Sequence, residues 1–157
     1  MNRLIGWREW LALPEIGIPG IKAKIDTGAR TSALHAYFVE PYSEGGIEMV
    51  RFGVHPVQKR EDIALICKAP VLEKRLVADS GGHQEERYVI ETLMQLGPFA
   101  QRIEMTLTNR DTMKFRMLLG RQALQQLNIP IDAGKSYLLG KSLLSAYSKD
   151  KTQEQIS

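Results

Sequence analysis

The sequence holds a single cysteine, Cys67, in 157 residues. No disulfide can therefore close within the chain, and a reducing, intracellular setting is expected. No apolar run approaches the roughly 20 residues needed to span a bilayer. The first eight residues lack the apolar core of a signal peptide. Both absences predict a cytoplasmic protein without membrane contact. There is no run of five like charges and no alternation of aromatic and basic residues. Lysine and arginine total 21 against 18 acidic residues, a net charge of +3. That balance leans toward an acidic partner and gives no direct call for nucleic acid. Zinc-type spacings are missing as well: there is no His-Glu-x-x-His and no pair of cysteines. His35, His55 and His83 lie far apart, and His83-Gln84-Glu85-Glu86 follows a glycine turn rather than building an i, i+4 helical pair. No Gly-x-x-x-x-Gly-Lys-Ser/Thr loop is present to cradle a phosphate. No metal and no cofactor is expected on these grounds.

What is present is ordinary for a globular chain: 43% hydrophobic and 25% charged residues. The length favours one domain, expected over residues 1–148, with a polar, fraying tail at 149–157. Short strands follow one another. Trp7 to Leu13 is apolar and aromatic, and Pro14-Glu15-Ile16-Gly17 turns the chain. Ile21 to Ile25 alternates apolar and basic residues, the period of a half-buried strand. Ser32 to Val39, Ile47 to Val54, Ile63 to Lys68, Val71 to Ala78, Arg87 to Leu96, Ile103 to Thr108 and Ser136 to Leu139 read as further strands. Turn signals stand at Ser43-Glu44-Gly45-Gly46 and Asp79-Ser80-Gly81-Gly82-His83. Only Arg121 to Leu127 reads as helix, ended by Asn128-Ile129-Pro130. The pattern predicts an all-β barrel or sandwich with one short C-terminal helix. Cys67, in an apolar strand without a neighbouring base, reads as core rather than nucleophile.

Chemistry concentrates at Lys24-Ile25-Asp26-Thr27-Gly28-Ala29, where an apolar strand delivers an aspartate into a tight turn. Alone, Asp-Thr-Gly is also what any strand-ending turn looks like. A second element follows in Met117-Leu118-Leu119-Gly120-Arg121, which runs straight into the helix. Between them lies the glycine-rich Asp79–His83 segment, whose glycines allow a mobile hairpin tip. An apolar pair and a glycine after a catalytic-type turn, with a glycine hairpin between, resemble the retropepsins, a family of aspartic peptidases.

Over residues 5 to 140 the resemblance narrows. Ile5 to Trp10, Lys22 to Ala36, Asp79 to His83 and Leu107-Thr108-Asn109-Arg110-Asp111 are similar to the RimB-like family. Its genes commonly sit beside, or fused to, glutamate ligases of the RimK type. The resemblance implies a retropepsin-like barrel, with Asp26, Thr27 and Gly28 as the catalytic turn. It also implies substrate contacts from Ala29, Arg30, Ser80, Gly81, Gly82, Arg87, Asn109 and Arg110. The implied substrate is a glutamate tail that such a ligase adds to a ribosomal protein. Only one complete lobe fits in the chain, because Leu118-Leu119-Gly120 is available once and Leu76-Val77-Ala78-Asp79-Ser80-Gly81 reads as the flap. The second aspartate is therefore expected from another copy of Asp26 in a homodimer, with Thr27 bonding across the two-fold axis. Retroviral members carry acidic residues after the alanine, where this chain has Arg30 and Thr31. Arg121, which pairs with such an acid in those enzymes, is expected to turn to Asp132. Two other readings stand beside the peptidase: a non-catalytic module that binds acidic tails or regulates a ligase, and a zinc metallopeptidase.

Overall fold

The computed structural model describes residues 4–78, 81–109 and 114–147. The strands in chain order are β1 (Ile5–Gly6), β2 (Arg8–Leu13), β3 (Ile18–Asp26), β4 (Ser32–His35), β5 (Phe38–Glu44), β6 (Ile47–Val54), β7 (Leu65–Pro70) and β8 (Glu73–Ala78). They continue as β9 (Gln84–Leu96), β10 (Phe99–Thr108) and β11 (Met117–Gly120), followed by helix α1 (Arg121–Leu127) and β12 (Ile131–Asp132). The protein is thus mostly β with one short helix near its C-terminal end. No helix among the described residues is long and apolar enough to cross a membrane.

The large sheet runs in the order β10-β4-β11-β3-β2-β9-β8, and β10 also pairs with β9. Six strands therefore close into a ring, and β8 hangs outside it on the front half of β9. The ring closes because β9 is long. Gln84–Val89 pairs with β8, while Val89–Leu96 pairs with β10. A separate sheet of β5, β6 and β7 packs on the ring. Phe52, Val54 and Cys67 from that sheet join Leu11, Ile21, Met94 and Leu119 from the ring in one buried cluster.

The strand period explains which side chains go inward. Along β3, Ile21, Ala23 and Ile25 are buried while Lys22, Lys24 and Asp26 share the opposite face. β11 inserts between β3 and β4, parallel to the first and antiparallel to the second. Its register sets Gly120 opposite Asp26 and Leu118 opposite Lys24.

Two expectations are corrected. Ser32 to Val39 is not one strand, since the chain leaves the ring at Ala36-Tyr37 and starts the second sheet at Phe38. The turn expected at Pro14 to Gly17 is present, as a short 3₁₀ helix over Pro14–Ile16 capped by Gly17 at φ 80°. Ser136 to Leu139 is no strand. Tyr137 takes φ 56°, and the Leu138 and Leu139 amides donate to the buried Glu9 carboxylate at 2.9 and 3.1 Å. A carboxylate thus takes the place that a ladder partner would have filled. Residues 149–157, read as a tail, lie outside the described residues.

Candidate active site

β3 runs apolar into the molecule and ends at Asp26, where Thr27-Gly28 breaks the strand. The Gly28 amide donates to Asp26 Oδ1 at 3.0 Å, and the Ala29 amide donates to the Asp26 carbonyl at 3.3 Å. The carboxylate is therefore fixed by its own turn while it stays half-exposed. The second motif grips the same turn from behind. The Arg121 and Gln122 amides, unpaired at the start of α1, donate to the Ala29 and Arg30 carbonyls at 2.7 and 3.0 Å. The Gly120 amide donates to Ser32 Oγ at 3.0 Å. A Cβ on Gly120 would stand 2.6 Å from the Thr31 carbonyl carbon, so only glycine permits this contact.

In front of Asp26 lies a cleft of about 620 Å³. Its floor is Ala33, Thr106 and Leu118, and one wall is Arg75 to Ala78 of β8. Three arginines line it: Arg30, Arg75 and Arg87. Arg75 donates to Thr31 Oγ1 at 3.3 Å and to Glu104 at 3.0 Å, and also pairs with Glu73. These carboxylate bonds raise its pKa further above the ordinary guanidinium value. Arg87, only 8% exposed, pairs with Glu85 at 3.2 Å. Arg30 has no carboxylate partner among the described residues. The cleft thus joins one half-exposed carboxylate to a cationic lining, which suits acid–base chemistry on an anionic chain.

Residues 4–142 match the RimB-like family, described as retropepsin-like aspartic endopeptidase RimB. The chain belongs to this family. It is also 44% identical over 138 residues to a probable alpha-L-glutamate ligase of Shewanella pealeana, covering 88% of this chain and 30% of that protein. The corresponding Desulfotalea psychrophila protein is 42% identical over 157 residues, covering 98% of this chain and 34% of its own length. The chain therefore spans about a third of the curated relatives it matches. Among solved structures, a Legionella pneumophila protein of unknown function superposes with a TM-score of 0.73 at 26% identity, over 88% of this chain and 99% of its own.

The family frame shows which sequence-marked residues meet. Asp26, Gly28, Ala29, Arg30 and Arg87 line the one cleft. Thr27 instead borders a groove formed with Arg121, Leu124 and Asn128 to Ile131. Gly81 and Gly82 sit exposed at the tip of the β8–β9 hairpin, with Gly82 at φ 83°. Asn109 is exposed beyond β10. None of these three lines the cleft among its described residues. Ser80 and Arg110 lie outside the described residues, as do Asp79 and Asp111. Arg121 does not turn to Asp132. Its Nη1 donates to the Thr27 carbonyl at 3.0 Å, and Asp132 instead accepts from the Gly134 amide at 3.0 Å. Arg75 went unmarked in the sequence; its only signal there was a place in the alternating strand before the glycine hairpin. Among the described residues, no three His, Cys, Asp or Glu side chains gather to hold a metal ion.

Proposed function

We propose that the protein is an aspartic endopeptidase that works as a homodimer in the cytoplasm. Asp26 of each chain supplies half of a catalytic dyad. The observation that carries this is the half-exposed Asp26 carboxylate, held by the Gly28 amide at the mouth of a cleft whose chain offers one such lobe. Two carboxylates brought close cannot both ionise cheaply, so the pair shares a proton. The ionised member takes a proton from water as the water oxygen attacks the scissile carbonyl. The protonated member donates to the carbonyl oxygen. Collapse of the tetrahedral intermediate breaks the C–N bond, with the proton passing to the leaving nitrogen. The two roles belong to the pair rather than to either chain. The substrate is a glutamate tail on a ribosomal protein, recognised by the cleft arginines and added by a RimK-type ligase.

One observation favours a second reading. Curated relatives named as glutamate ligases carry this region as about a third of their length. A module that holds acidic tails for a ligase, without cutting them, would fit that arrangement. A time course on an oligoglutamate-tailed peptide separates the two, using wild-type protein and Asp26→Asn with and without EDTA. Cleavage that survives EDTA and disappears in Asp26→Asn is the expected result. Cleavage by Asp26→Asn, or its loss to EDTA, overturns the dyad. Tight binding without cleavage by either protein would leave the binding module.

A further inference from the structure

A second cleft of about 480 Å³ shares no lining residue with the first. It gathers Arg8, Lys22, Lys59, Lys114 and Arg116 around the rings of Trp7 and Phe115. Among the described residues no acidic side chain lines it, and none of these five cations pairs with a carboxylate. Lys22 shows the consequence. Burial lowers its pKa first, and repulsion from Arg8, Lys141 and Lys59 lowers it further. Five like charges crowded without a counter-ion among the described residues favour an anionic occupant of the space.

Aromatic rings hold two of the five cations, Arg8 and Lys22. Arg8 lies over Trp7 at 4.5 Å and over Tyr137 at 4.9 Å, and its Nε donates to Ser136 Oγ at 3.1 Å. Lys22 stands 5.5 Å over Phe115, and Lys141 stands 4.7 Å over Tyr137. Phe115 meets Trp7 edge-on at 5.8 Å. The ring faces are therefore taken by cations and by one another, which leaves little platform for stacked bases. What remains on offer is an array of positive charge, anchored at Arg8 and Lys22 and suited to carboxylates.

The array also lies in line with Asp26. Lys22, Lys24 and Asp26 occupy the same face of β3, and four residues of strand span about 13 Å. An extended peptide covers that distance in roughly four residues. We propose that this cleft is an exosite, holding the distal carboxylates of an acidic peptide whose proximal part occupies the Asp26 cleft, with Lys24 between them. The inference rests on the peptidase reading for what happens at Asp26. It concerns how far a bound acidic tail extends, which binding reports without any cleavage.

The test uses full-length Asp26→Asn protein, so that no probe is consumed. Labelled tetraglutamate and dodecaglutamate are titrated by fluorescence anisotropy, with oligouridylate as a third probe. The same set is run on Asp26→Asn carrying Lys22→Gln, Lys59→Gln and Lys114→Gln. The parent should prefer the dodecamer, and the triple change should reduce the ratio of dodecamer to tetramer affinity by about tenfold. Added salt should shrink the same ratio. An unchanged ratio overturns the exosite, as does an oligouridylate that binds more tightly than the dodecamer and loses its affinity in the triple variant. Circular dichroism confirms the fold, and Lys22→Arg/Lys59→Arg/Lys114→Arg, which keeps the charges, should restore the ratio. Failure of wild-type protein to cleave either peptide would overturn the dyad and leave these binding results standing.

Discussion

Arg121 donates from its guanidinium to the Thr27 carbonyl at 3.0 Å, a bond across 94 positions of sequence. It joins the start of α1 to the turn that presents Asp26. The same turn is held by two backbone bonds, from the Arg121 and Gln122 amides to Ala29 and Arg30. Arg121→Ala removes the first and keeps the other two. The fold should therefore survive with a loss of about 1 kcal/mol, read as a lower urea midpoint. Peptide turnover should fall several-fold more than that stability loss explains, because the turn loses its most distal tether. An unchanged turnover would show that the backbone bonds alone set the carboxylate.

Gly120 tests the contact between the two motifs. A methyl group there would meet Thr31 backbone atoms at 2.6 and 2.8 Å, and backbone atoms cannot swing aside as a side chain can. Gly120→Ala should cost about 1–3 kcal/mol by forcing β11 from β4. Gly82 is the contrast. Its φ of 83° is strained for any other residue, yet no atom of the described residues lies within 4 Å of its would-be Cβ. Gly82→Ala should cost about 1 kcal/mol, and its urea midpoint should fall less than that of Gly120→Ala.

These two glycines also show how much the sequence disclosed. The turn at Asp26 and the Leu118-Leu119-Gly120 strand are local signals, because tight turns and buried strands dictate their own residue types. Helix α1 was legible for the same reason. Ser136 to Leu139 misled because its partner is remote. Glu9, fully buried, accepts from the Gly6 amide at 2.7 Å as well as from Leu138 and Leu139, and no window around residue 137 contains that carboxylate. Arg75 was missed because alternation identifies a strand without saying which cleft its side chains line. That depends on β8 pairing with β9. The cation cluster at Trp7 was invisible for a related reason. Its members come from separate segments that are brought together only when β2, β3, the β6–β7 connection and the approach to β11 assemble.

The three cleft arginines differ in what they have left to give. Arg75 is engaged by Glu73 and Glu104, and Arg87 by Glu85. Arg30 is exposed in the same cleft without a carboxylate partner among the described residues. Arg30→Ala should therefore raise KM for an acidic peptide by about tenfold with little effect on stability, since an exposed arginine contributes little to folding. Arg75→Ala should do the reverse. It would leave Glu73 and Glu104 facing each other without a cation and lower the urea midpoint. A Michaelis series beside denaturation curves distinguishes them; an equal rise in KM would show that Arg75 shares recognition, and an unchanged KM in Arg30→Ala would place recognition elsewhere in the cleft.

Cys67 supplies the pH prediction. It is 2% exposed on β7, and burial pushes its thiol from an ordinary 9.0 up to about 11. The protonated thiol is the neutral form, so the folded protein keeps its proton at pH values where the unfolded chain releases it. Below about pH 9 both states hold the proton and the group has no effect on the slope of stability. As pH rises from about 9 toward about 11, the unfolded state alone ionises and stability is lost, by up to about 1.4 kcal/mol per pH unit. Above that window the native thiol ionises too and the contribution levels off. Other groups titrate in the same range, so the comparison is with Cys67→Ala, measured by urea unfolding at successive pH values. The variant should start lower because of the lost packing, run parallel to wild type below pH 9 and fall less steeply above it. Parallel curves throughout would show that the thiol ionises as easily in the fold as outside it, which a side chain packed among Phe52 and Val54 should not allow.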